Sequence, residues 1–285
     1  MPIDGGHIHV IDTPARGIER GAVVMIHGAS GNAADLWAAL ADSLSEAGFR
    51  TLSTDRPGHG WSDRLAGRDA ASPEAQAQAL VRAARALGVE RAIVVVHSLG
   101  GLTGLAMALE EPNFVQALVL VAPVSHPWPG GISWYYSVGA HPLLGPPLRR
   151  FVTLPVGLLW LKPGVASVFA PNRAPPDYIG RTRLPLVLRP LHFRANCEDV
   201  AVAKAAAIRL SSRYRGILAP VEIVAGEQDT VVANALHAEG LARDIAGARL
   251  TVFPGVGHAP HHVKPDQVAA VVVEAAHRAA DERVA

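Results

Sequence analysis

Ser98 is the residue of this sequence whose surroundings point most directly to chemistry. It follows the apolar, β-branched run Ile93-Val94-Val95-Val96, which is typical of a strand buried on both faces, and it precedes a predicted helix over 102–110. Ser98 would therefore lie on a sharp turn from strand to helix. Such a turn strains the backbone of its apex residue and lifts the side chain clear of the sheet. The pattern predicts an accessible serine nucleophile.

A serine hydroxyl is a weak nucleophile at neutral pH, so it needs a base, and that base needs a carboxylate to hold it in the right tautomer. Both residue types occur further along the chain. Asp229 comes shortly after the apolar run 220–226, and His258 follows the predicted strand 249–253 on a glycine-rich loop. Because open α/β sheets gather their reactive groups at the carboxyl ends of strands, we expect both side chains to approach Ser98.

Five short motifs occur along the chain in a fixed order. They are His27-Gly28-Ala29-Ser30-Gly31, Asp55-Arg56-Pro57-Gly58-His59-Gly60-Trp61-Ser62, His97-Ser98-Leu99-Gly100-Gly101, Gly226-Glu227-Gln228-Asp229 and Gly255-Val256-Gly257-His258. In order and spacing they resemble the motifs of the α/β-hydrolase superfamily, in its serine-nucleophile, esterase-like and lipase-like branch. The resemblance covers nearly all of the chain apart from its middle. It implies an α/β fold with a mostly parallel central sheet, flanking helices and an inserted helical cap.

The resemblance also implies a role for each motif residue. Ser98 would be the nucleophile, His258 its base and Asp229 the carboxylate that orients the base; this order along the chain is the one found in α/β-hydrolases. The backbone N–H groups of Ala29 and Leu99 would form the oxyanion hole, which stabilises the charge that develops on the carbonyl oxygen.

Several residues compete for these roles. His261 and His262 are alternatives to His258, and Glu227 is an alternative to Asp229. The spacing from Gly257 favours His258 as the base, and the spacing of the family motif favours Asp229 as the carboxylate. The other histidines near the motifs have structural explanations. His27 is expected to hold the oxyanion loop through hydrogen bonds. Asp55 is expected to organise its own loop, and His59 is expected to be structural or to line the pocket.

Val96 departs from the family pattern, which has a small residue two positions before the nucleophile. Glycine is favoured there because neighbouring backbones come close. We expect valine to widen or tilt the turn and to weaken the oxyanion hole without changing the fold.

The alternation of strands and helices stops after Pro123 and resumes near Pro220. The intervening insertion, placed at 124–213, is too long for a simple connection and is predicted to be a helical cap, with 1–123 and 214–285 forming the core. It holds 9 of the 15 aromatic residues, so an apolar pocket roof is expected. The residues expected to line the substrate pocket are His27, His97, Trp128, Trp134 and Tyr135.

Charge divides at the same boundary. The segment 124–213 has 11 Lys and Arg against 3 Asp and Glu, a balance of +8, and the rest of the chain has 15 against 22, a balance of −7. A basic cap can steer an anionic substrate, an acidic partner such as an acyl-carrier protein, or an anionic lipid surface toward the entrance. The alternative is that the arginines of the cap pair with the acidic core.

Composition excludes several classes of protein. The formal net charge is +1, 49% of residues are hydrophobic and 18% are charged, which indicates a globular domain with a large core. No run approaches the roughly 18 consecutive apolar residues of a membrane span, and the N-terminus lacks signal-peptide features, so a cytoplasmic location is expected. The single Cys197 and scattered histidines predict no disulfide, metal site or cofactor. No nucleic-acid-binding module is recognised.

These observations predict a serine-dependent hydrolase that cleaves esters of hydrophobic small molecules. Carbon–carbon cleavage of a diketone and lactone opening use a similar triad and remain alternatives. A ligand-binding or receptor protein on a hydrolase scaffold is the alternative from another class, and Val96 is the feature that keeps it open. The substrate and the oligomeric state are not predicted.

Overall fold

The computed structural model describes residues 1–65 and 69–284. Residues 66–68 and 285 belong to the core range expected from the sequence and lie outside the described residues. Within the described chain the strands are β1 (Pro2–Ile3), β2 (Gly6–His7), β3 (Val10–Thr13), β4 (Gly21–Ile26), β5 (Phe49–Thr54), β6 (Ala92–His97), β7 (Val115–Val121), β8 (Val221–Gly226) and β9 (Arg249–Phe253). The helices are α1 (Ala34–Glu46), α2 (Pro73–Ala86), α3 (Gly100–Glu110), α4 (Trp134–Ala140), α5 (Gly145–Pro147), α6 (Thr153–Phe169), α7 (Tyr178–Arg181), α8 (Pro190–Ser211), α9 (Ala238–Asp244), α10 (Pro260–Val263) and α11 (Pro265–Val284).

Strands β3 to β9 form one sheet, in the order β3-β5-β4-β6-β7-β8-β9. Strand β3 runs antiparallel to β5 at one edge, and the other six strands are parallel. Strands β1 and β2 pair as a separate two-stranded hairpin. The mostly parallel sheet expected from the sequence is confirmed.

Both faces of the sheet are covered, which explains the unbroken apolar runs of its central strands. One face packs against α2, α3, α9 and the second half of α8. The other face packs against α1 and α11. Successive side chains of one strand therefore enter different cores. Val94 and Val96 contact the first layer, whereas Ile93 and Val95 contact the second.

Two elements differ from what the sequence predicts. The residue pattern predicts a strand over 7–12, but the strand begins only at Val10, because the residues before it turn back into the β1–β2 hairpin. The sequence also predicts a helix from about Asn234 to Ile245, but this helix begins at Ala238. Asn234 instead donates a side-chain hydrogen bond to the carbonyl of Gly226 at 2.6 Å, which holds a turn ahead of the helix. Short polar side chains commonly compete with helix formation in this way.

Between β7 and β8 the described chain forms helices α4 to α8 and loops. This region is joined to the rest of the molecule by buried polar contacts. Asp199 of α8 accepts a hydrogen bond from Arg56 at 2.6 Å and lies 2.9 Å from Nη1 of Arg64. The ring of His192 accepts a hydrogen bond from the backbone N–H of Gly60 at 3.0 Å.

Helix α5, a π-helical turn over Leu148–Val152 and α6 continue into one another from Gly145 to Phe169. We call this 25-residue segment the exposed helix. Among the described residues it is the one helix whose length and composition alone would suffice to cross a membrane. The sequence contains no uninterrupted apolar run of that length because Arg149, Arg150 and Lys162 break it.

Candidate active site

Ser98 lies at the end of β6 and immediately before α3, with a positive backbone φ of 51°. This is the strained turn that the sequence predicts. The conformation is held by hydrogen bonds on both sides. The N–H of Ser98 donates to the carbonyl of Val121 at 3.0 Å, and the carbonyl of Ser98 accepts from the N–H groups of Gly101 at 2.8 Å and Val124 at 2.9 Å. These contacts over-determine a backbone geometry that a serine would not adopt by itself.

Ser98, His258 and Asp229 form a continuous hydrogen-bonded chain at the carboxyl edge of the sheet. His258 Nε2 lies 2.9 Å from Ser98 Oγ, and His258 Nδ1 lies 2.8 Å from Asp229 Oδ2. The other carboxylate oxygen of Asp229 accepts N–H bonds from Val231 at 2.8 Å and Val232 at 2.9 Å. All three side chains are buried, and each follows a different parallel strand.

The arrangement assigns the tautomer of His258. Because an ionised carboxylate only accepts hydrogen bonds, Nδ1 must carry the proton that faces Asp229. In the neutral ring Nε2 then has its lone pair directed at Ser98 Oγ. This geometry allows an imidazole to take the proton of a serine hydroxyl as that oxygen attacks a carbonyl carbon.

Leu99 follows Ser98 directly, and Ala29 belongs to the loop after β4, where a Cβ atom placed on Gly28 would lie 2.9 Å from Ser98 Cβ. Within the described chain neither N–H donates to a protein acceptor, so both are available to a ligand. The loop after β4 is held by Asn196 of α8, whose Oδ1 accepts from the N–H of Ser30 at 2.7 Å. The Nδ2 of Asn196 donates to Ser30 Oγ at 3.2 Å.

His27 contributes to this loop from within the protein. Its Nδ1 lies 2.8 Å from the carbonyl of Gly28, and its Nε2 accepts the N–H of Arg56 at 3.1 Å. Burial, followed by the nearby guanidinium of Arg56, lowers the pKa of His27 to about 3. The ring is therefore neutral and structural at physiological pH. It supports the loop as the sequence predicts, but it is not exposed toward a pocket.

His97 also lies behind the candidate site. Its Nε2 lies 3.0 Å from the carbonyl of His258, and its ring stacks obliquely on the rings of His258 and His261. Burial, with the positive charge that its histidine neighbours can carry, holds the pKa of His97 well below its usual value. This hydrogen bond holds the backbone of His258 in place, so we interpret His97 as a positioning residue.

His261 and His262, the alternatives to His258, contact a different carboxylate. Asp35 lies 2.9 Å from His262 and 3.5 Å from His261, and its carboxylate also accepts a hydrogen bond from Tyr178 at 3.1 Å. Burial alone would raise the pKa of Asp35, but its contacts with His261 and His262 hold that pKa well below its usual range. One ligand atom from each of Asp35, His261 and His262 lies within 4.8 Å of the others, so these side chains could hold a metal ion. The sequence spacing did not indicate this cluster, because Asp35 comes from a distant helix.

The three aromatic residues expected to line the pocket have different environments. Trp128 is partly buried beside His237, whereas Trp134 and Tyr135 contact each other on the surface of α4. A cavity of about 200 Å³ opens elsewhere, between α1 and the segment around α7. Neither Ser98 nor the predicted lining residues contribute to it. Its lining residues are Ala38, Ala39, Pro175, Pro176, Tyr178, Arg181, Thr182, His262 and Pro265.

Sequence reasoning missed two asparagines that position the site. Asn196 binds the loop of Ala29, as described above. Asn172, which follows α6, donates to the carbonyl of Gly255 at 2.9 Å and accepts the N–H of Gly257 at 3.0 Å, so it holds the loop that carries His258. Both lie in the insertion, whose sequence has no regular pattern. Without the tertiary contacts, the sequence does not indicate that Asn172 and Asn196 position the site.

Val96, two residues before Ser98, is accommodated by a glycine on the following helix. A Cβ atom placed on Gly104 of α3 would lie 2.7 Å from Cγ1 of Val96 and 3.1 Å from its Cγ2. The absence of a side chain on the helix thus provides the space that the valine occupies. The expectation that Val96 widens the turn does not follow from this packing.

Gly104→Ala is expected to destabilise the protein by about 1–3 kcal/mol, because the added methyl group would overpack the contact with Val96. In a Val96→Ala background the same change should cost much less, because only Leu118 Cδ1, at 3.1 Å, still lies close to the added methyl group and alanine is the better helix former. Urea denaturation of the four proteins in this double-mutant cycle measures the coupling. Equal destabilisation in both backgrounds would show that Val96 is not the residue that requires a glycine.

Comparison with known proteins places the chain in a family. The family model described as the alpha/beta hydrolase fold matches residues 21–265. The pimeloyl-[acyl-carrier protein] methyl ester esterase of Nitrosomonas europaea is 29% identical over 262 residues, which cover 86% of this chain and 91% of that protein. A 2-hydroxy-6-oxononadienedioate/2-hydroxy-6-oxononatrienedioate hydrolase of Paraburkholderia phymatum is 35% identical over 125 residues, or 42% of each chain.

Among solved structures, the enol-lactonase of Burkholderia xenovorans LB400 superposes with a TM-score of 0.71 at 22% identity, covering 96% of this chain and 97% of the other. This likeness supports the fold. With the family model matching most of its length, the chain belongs to the α/β-hydrolase fold family.

Proposed function

We propose that the protein is a serine-dependent hydrolase that cleaves carboxylic esters of hydrophobic small molecules through an acyl-enzyme. Ser98 Oγ attacks the acyl carbon while His258 Nε2 takes its proton, and Asp229 stabilises the resulting imidazolium. The N–H groups of Ala29 and Leu99 bind the oxyanion. His258 then returns the proton to the leaving alcohol and activates a water molecule, which releases the acid.

The observation that carries this proposal is the hydrogen-bonded chain from Ser98 through His258 to Asp229, with distances of 2.9 and 2.8 Å. A general base must lie within hydrogen-bond reach of the proton that it removes, and His258 meets this condition without any rearrangement. The similarity to a methyl ester esterase over most of the chain supports the ester as the substrate class.

A second candidate reaction is hydrolysis of a carbon–carbon bond or of a lactone by the same three residues. It is favoured by the similarity of 42% of the chain to a hydrolase of 2-hydroxy-6-oxo dienedioates. Both reactions begin at a carbonyl carbon, so the candidate machinery alone does not distinguish them. The substrate on which Ser98-dependent turnover is fastest would do so.

A binding role without turnover is the third candidate. Its main sequence support was Val96, and the space provided by Gly104 weakens that support. The complete chain of three polar residues also argues against it, because a binding protein has no need of an activated serine.

Hydrolysis of p-nitrophenyl esters from acetate to long acyl chains tests the proposal. Ser98→Ala is expected to lower kcat/KM by at least about 10⁴-fold, because the acyl-enzyme cannot form. Ser212→Ala, at an exposed serine directly after α8, is the matched control and should behave as the wild type. Absence of Ser98-dependent turnover on every ester would contradict ester hydrolysis, and assays with a diketone and a lactone would then decide between cleavage and binding.

A further inference from the structure

The exposed helix, Gly145–Phe169, presents an unusual surface. Only 6% of its most apolar 18-residue window is buried inside the protein. Large side chains face outward at several positions, with Phe151 71% exposed, Leu159 79% exposed and Trp160 67% exposed. A helix that is apolar on all sides is normally buried in a protein core or in a membrane. This one is covered by neither in the described chain.

The charges on the helix and on the chain segments that flank it in sequence are of one sign. No Asp or Glu occurs from residue 112 to residue 176, whereas Arg149, Arg150, Lys162 and Arg173 lie in this stretch. Arg149 is directed inward and donates to the carbonyl of Gly139. The other three are exposed, and within the described residues none of them is paired with a carboxylate. An apolar surface bordered by unpaired cations matches the apolar interior and anionic headgroups of a lipid surface.

Both ends of the exposed helix are attached to the same protein body. Gly145 is buried, and its amide donates to the carbonyl of His141 at 2.9 Å. Phe169 is buried against the rings of Tyr178 and His262. A spanning orientation would place the two ends on opposite sides of a bilayer, about 30 Å apart, which this attachment does not permit. The helix is therefore suited to lie along a surface.

We propose that the exposed helix docks in the interfacial layer of an anionic lipid bilayer, with its axis in the plane of the membrane. Phe151, Leu158, Leu159 and Trp160 enter the acyl boundary. Arg150, Lys162 and Arg173 contact lipid phosphates, and the aliphatic stem of Lys162 lies along apolar surface while its ammonium group reaches the headgroups.

Two other occupants fit less well. In a symmetric pair of this chain the same patch would face itself, so the cations of both copies would approach one another with no acidic residue between 112 and 176 to offset them. An acidic protein would match the cations but would leave unexplained the apolar side chains around the full circumference of the helix.

The C-terminal end of the helix leads to the candidate active site. Asn172, three residues beyond Phe169, holds the loop of His258 through the two hydrogen bonds described above. A docked helix would therefore place that loop beside the membrane surface. Docking itself does not depend on the proposed hydrolase activity, so Ser98→Ala should bind vesicles as the wild type does.

Cosedimentation with sonicated vesicles tests the proposal. Wild-type protein is expected to sediment with phosphatidylcholine vesicles that contain phosphatidylglycerol, and more weakly with phosphatidylcholine alone. Leu159→Glu should weaken this binding by at least about tenfold, because it removes a leucine from the acyl boundary and adds a repelled charge. Leu218→Glu is the matched control, since Leu218 is 81% exposed but lies on the core, and it should bind as the wild type does.

Four further measurements separate the outcomes. The emission of Trp160 should shift to the blue on binding, and the shift should be absent in Trp160→Phe, which still sediments. Circular dichroism and thermal unfolding establish that each variant is folded. The proposal would be overturned if the wild-type protein does not sediment with the vesicles, or if Leu159→Glu and Leu218→Glu sediment equally with them. If the wild-type protein does not bind vesicles but forms a dimer in analytical ultracentrifugation, and Leu159→Glu dissociates this dimer, the surface would be assigned to a second copy of the chain instead.

Discussion

Asp229→Asn is expected to lower kcat on an ester substrate by about 10³–10⁴-fold while KM changes little, because the substitution reverses the tautomer of His258. In the structure one oxygen of Asp229 accepts the N–H groups of Val231 and Val232, at 2.8 and 2.9 Å. An asparagine would keep its carbonyl oxygen on these donors. Its NH₂ group would then face His258 Nδ1, which can accept that hydrogen bond only without a proton.

The proton of the neutral ring would consequently lie on Nε2, and Ser98 would face a donor in place of a base. The fold should be retained, since both backbone contacts of residue 229 survive. Steady-state kinetics of the purified variant, with a burst measurement of acylation, checks the prediction. Slow acylation with unchanged substrate affinity is the expected pattern.

Asp244→Asn is the control for this experiment. Asp244, the last residue of α9, also pairs with a histidine, since its Oδ2 lies 3.0 Å from Nε2 of His126, but it is not part of the hydrogen-bonded chain of Ser98, His258 and Asp229. It should retain wild-type kcat. Equal activity of Asp229→Asn and the wild type would contradict the proposed role of Asp229, and equal losses in both variants would indicate a general effect of removing a carboxylate.

Asp199→Asn is expected to lower the free energy of unfolding by about 3–5 kcal/mol, because it leaves a buried guanidinium without its counter-charge. Asp199 is 2% exposed at its side chain and Arg56 is 1% exposed, and they meet at 2.6 Å. Arg64 lies 2.9 Å from the second oxygen of the same carboxylate. Asparagine conserves the volume, so the loss measures the charge and not a cavity.

Glu198→Gln provides a matched control on the same helix. Glu198 contacts Arg64, at 3.0 Å, and Arg194, at 2.6 Å, but its side chain is 22% exposed and the solvent partly screens both pairs. The loss of both pairs should cost no more than about 1–2 kcal/mol. Urea denaturation of both variants measures the difference. A double variant Arg56→Met with Asp199→Leu should regain part of the stability, because apolar side chains need no desolvation of charge.

Indistinguishable unfolding of Asp199→Asn and Glu198→Gln would contradict the assignment of a buried pair between α8 and the core. The pair joins the insertion to the loop after β5, and Arg56 also donates to the carbonyl of Gly28 at 3.2 Å. Its strength therefore bears on the rigidity of the loop that presents the Ala29 amide.

The sequence by itself determined the fold class and the positions of most central elements. Apolar runs of strand length alternate with helical segments, and this pattern depends on neighbouring residues only. The predicted strand at 249–253 and the turn at Ser98 agree with the structure for this reason. The order of the motifs was sufficient to identify the family.

The tertiary structure decided how distant residues pair. Asp229 and His258 meet Ser98, whereas His261 and His262 turn to Asp35, which is more than 200 positions away in sequence. The spacing from Gly257 favoured His258, but no local pattern predicts that His261 and His262 contact Asp35, because that contact depends on how the loop after β9 packs against α1.

Only the tertiary structure showed which way the insertion faces. An apolar composition over 145–169 predicts burial, yet the segment packs against the core at few positions and exposes Leu159. Composition specifies how favourable it is to remove a surface from water, but the packing of the surrounding elements decides whether this chain can cover that surface. The sequence therefore determined the core and the turn that carries Ser98, and the packing decided the partners of His261 and His262 and the exposure of the helix.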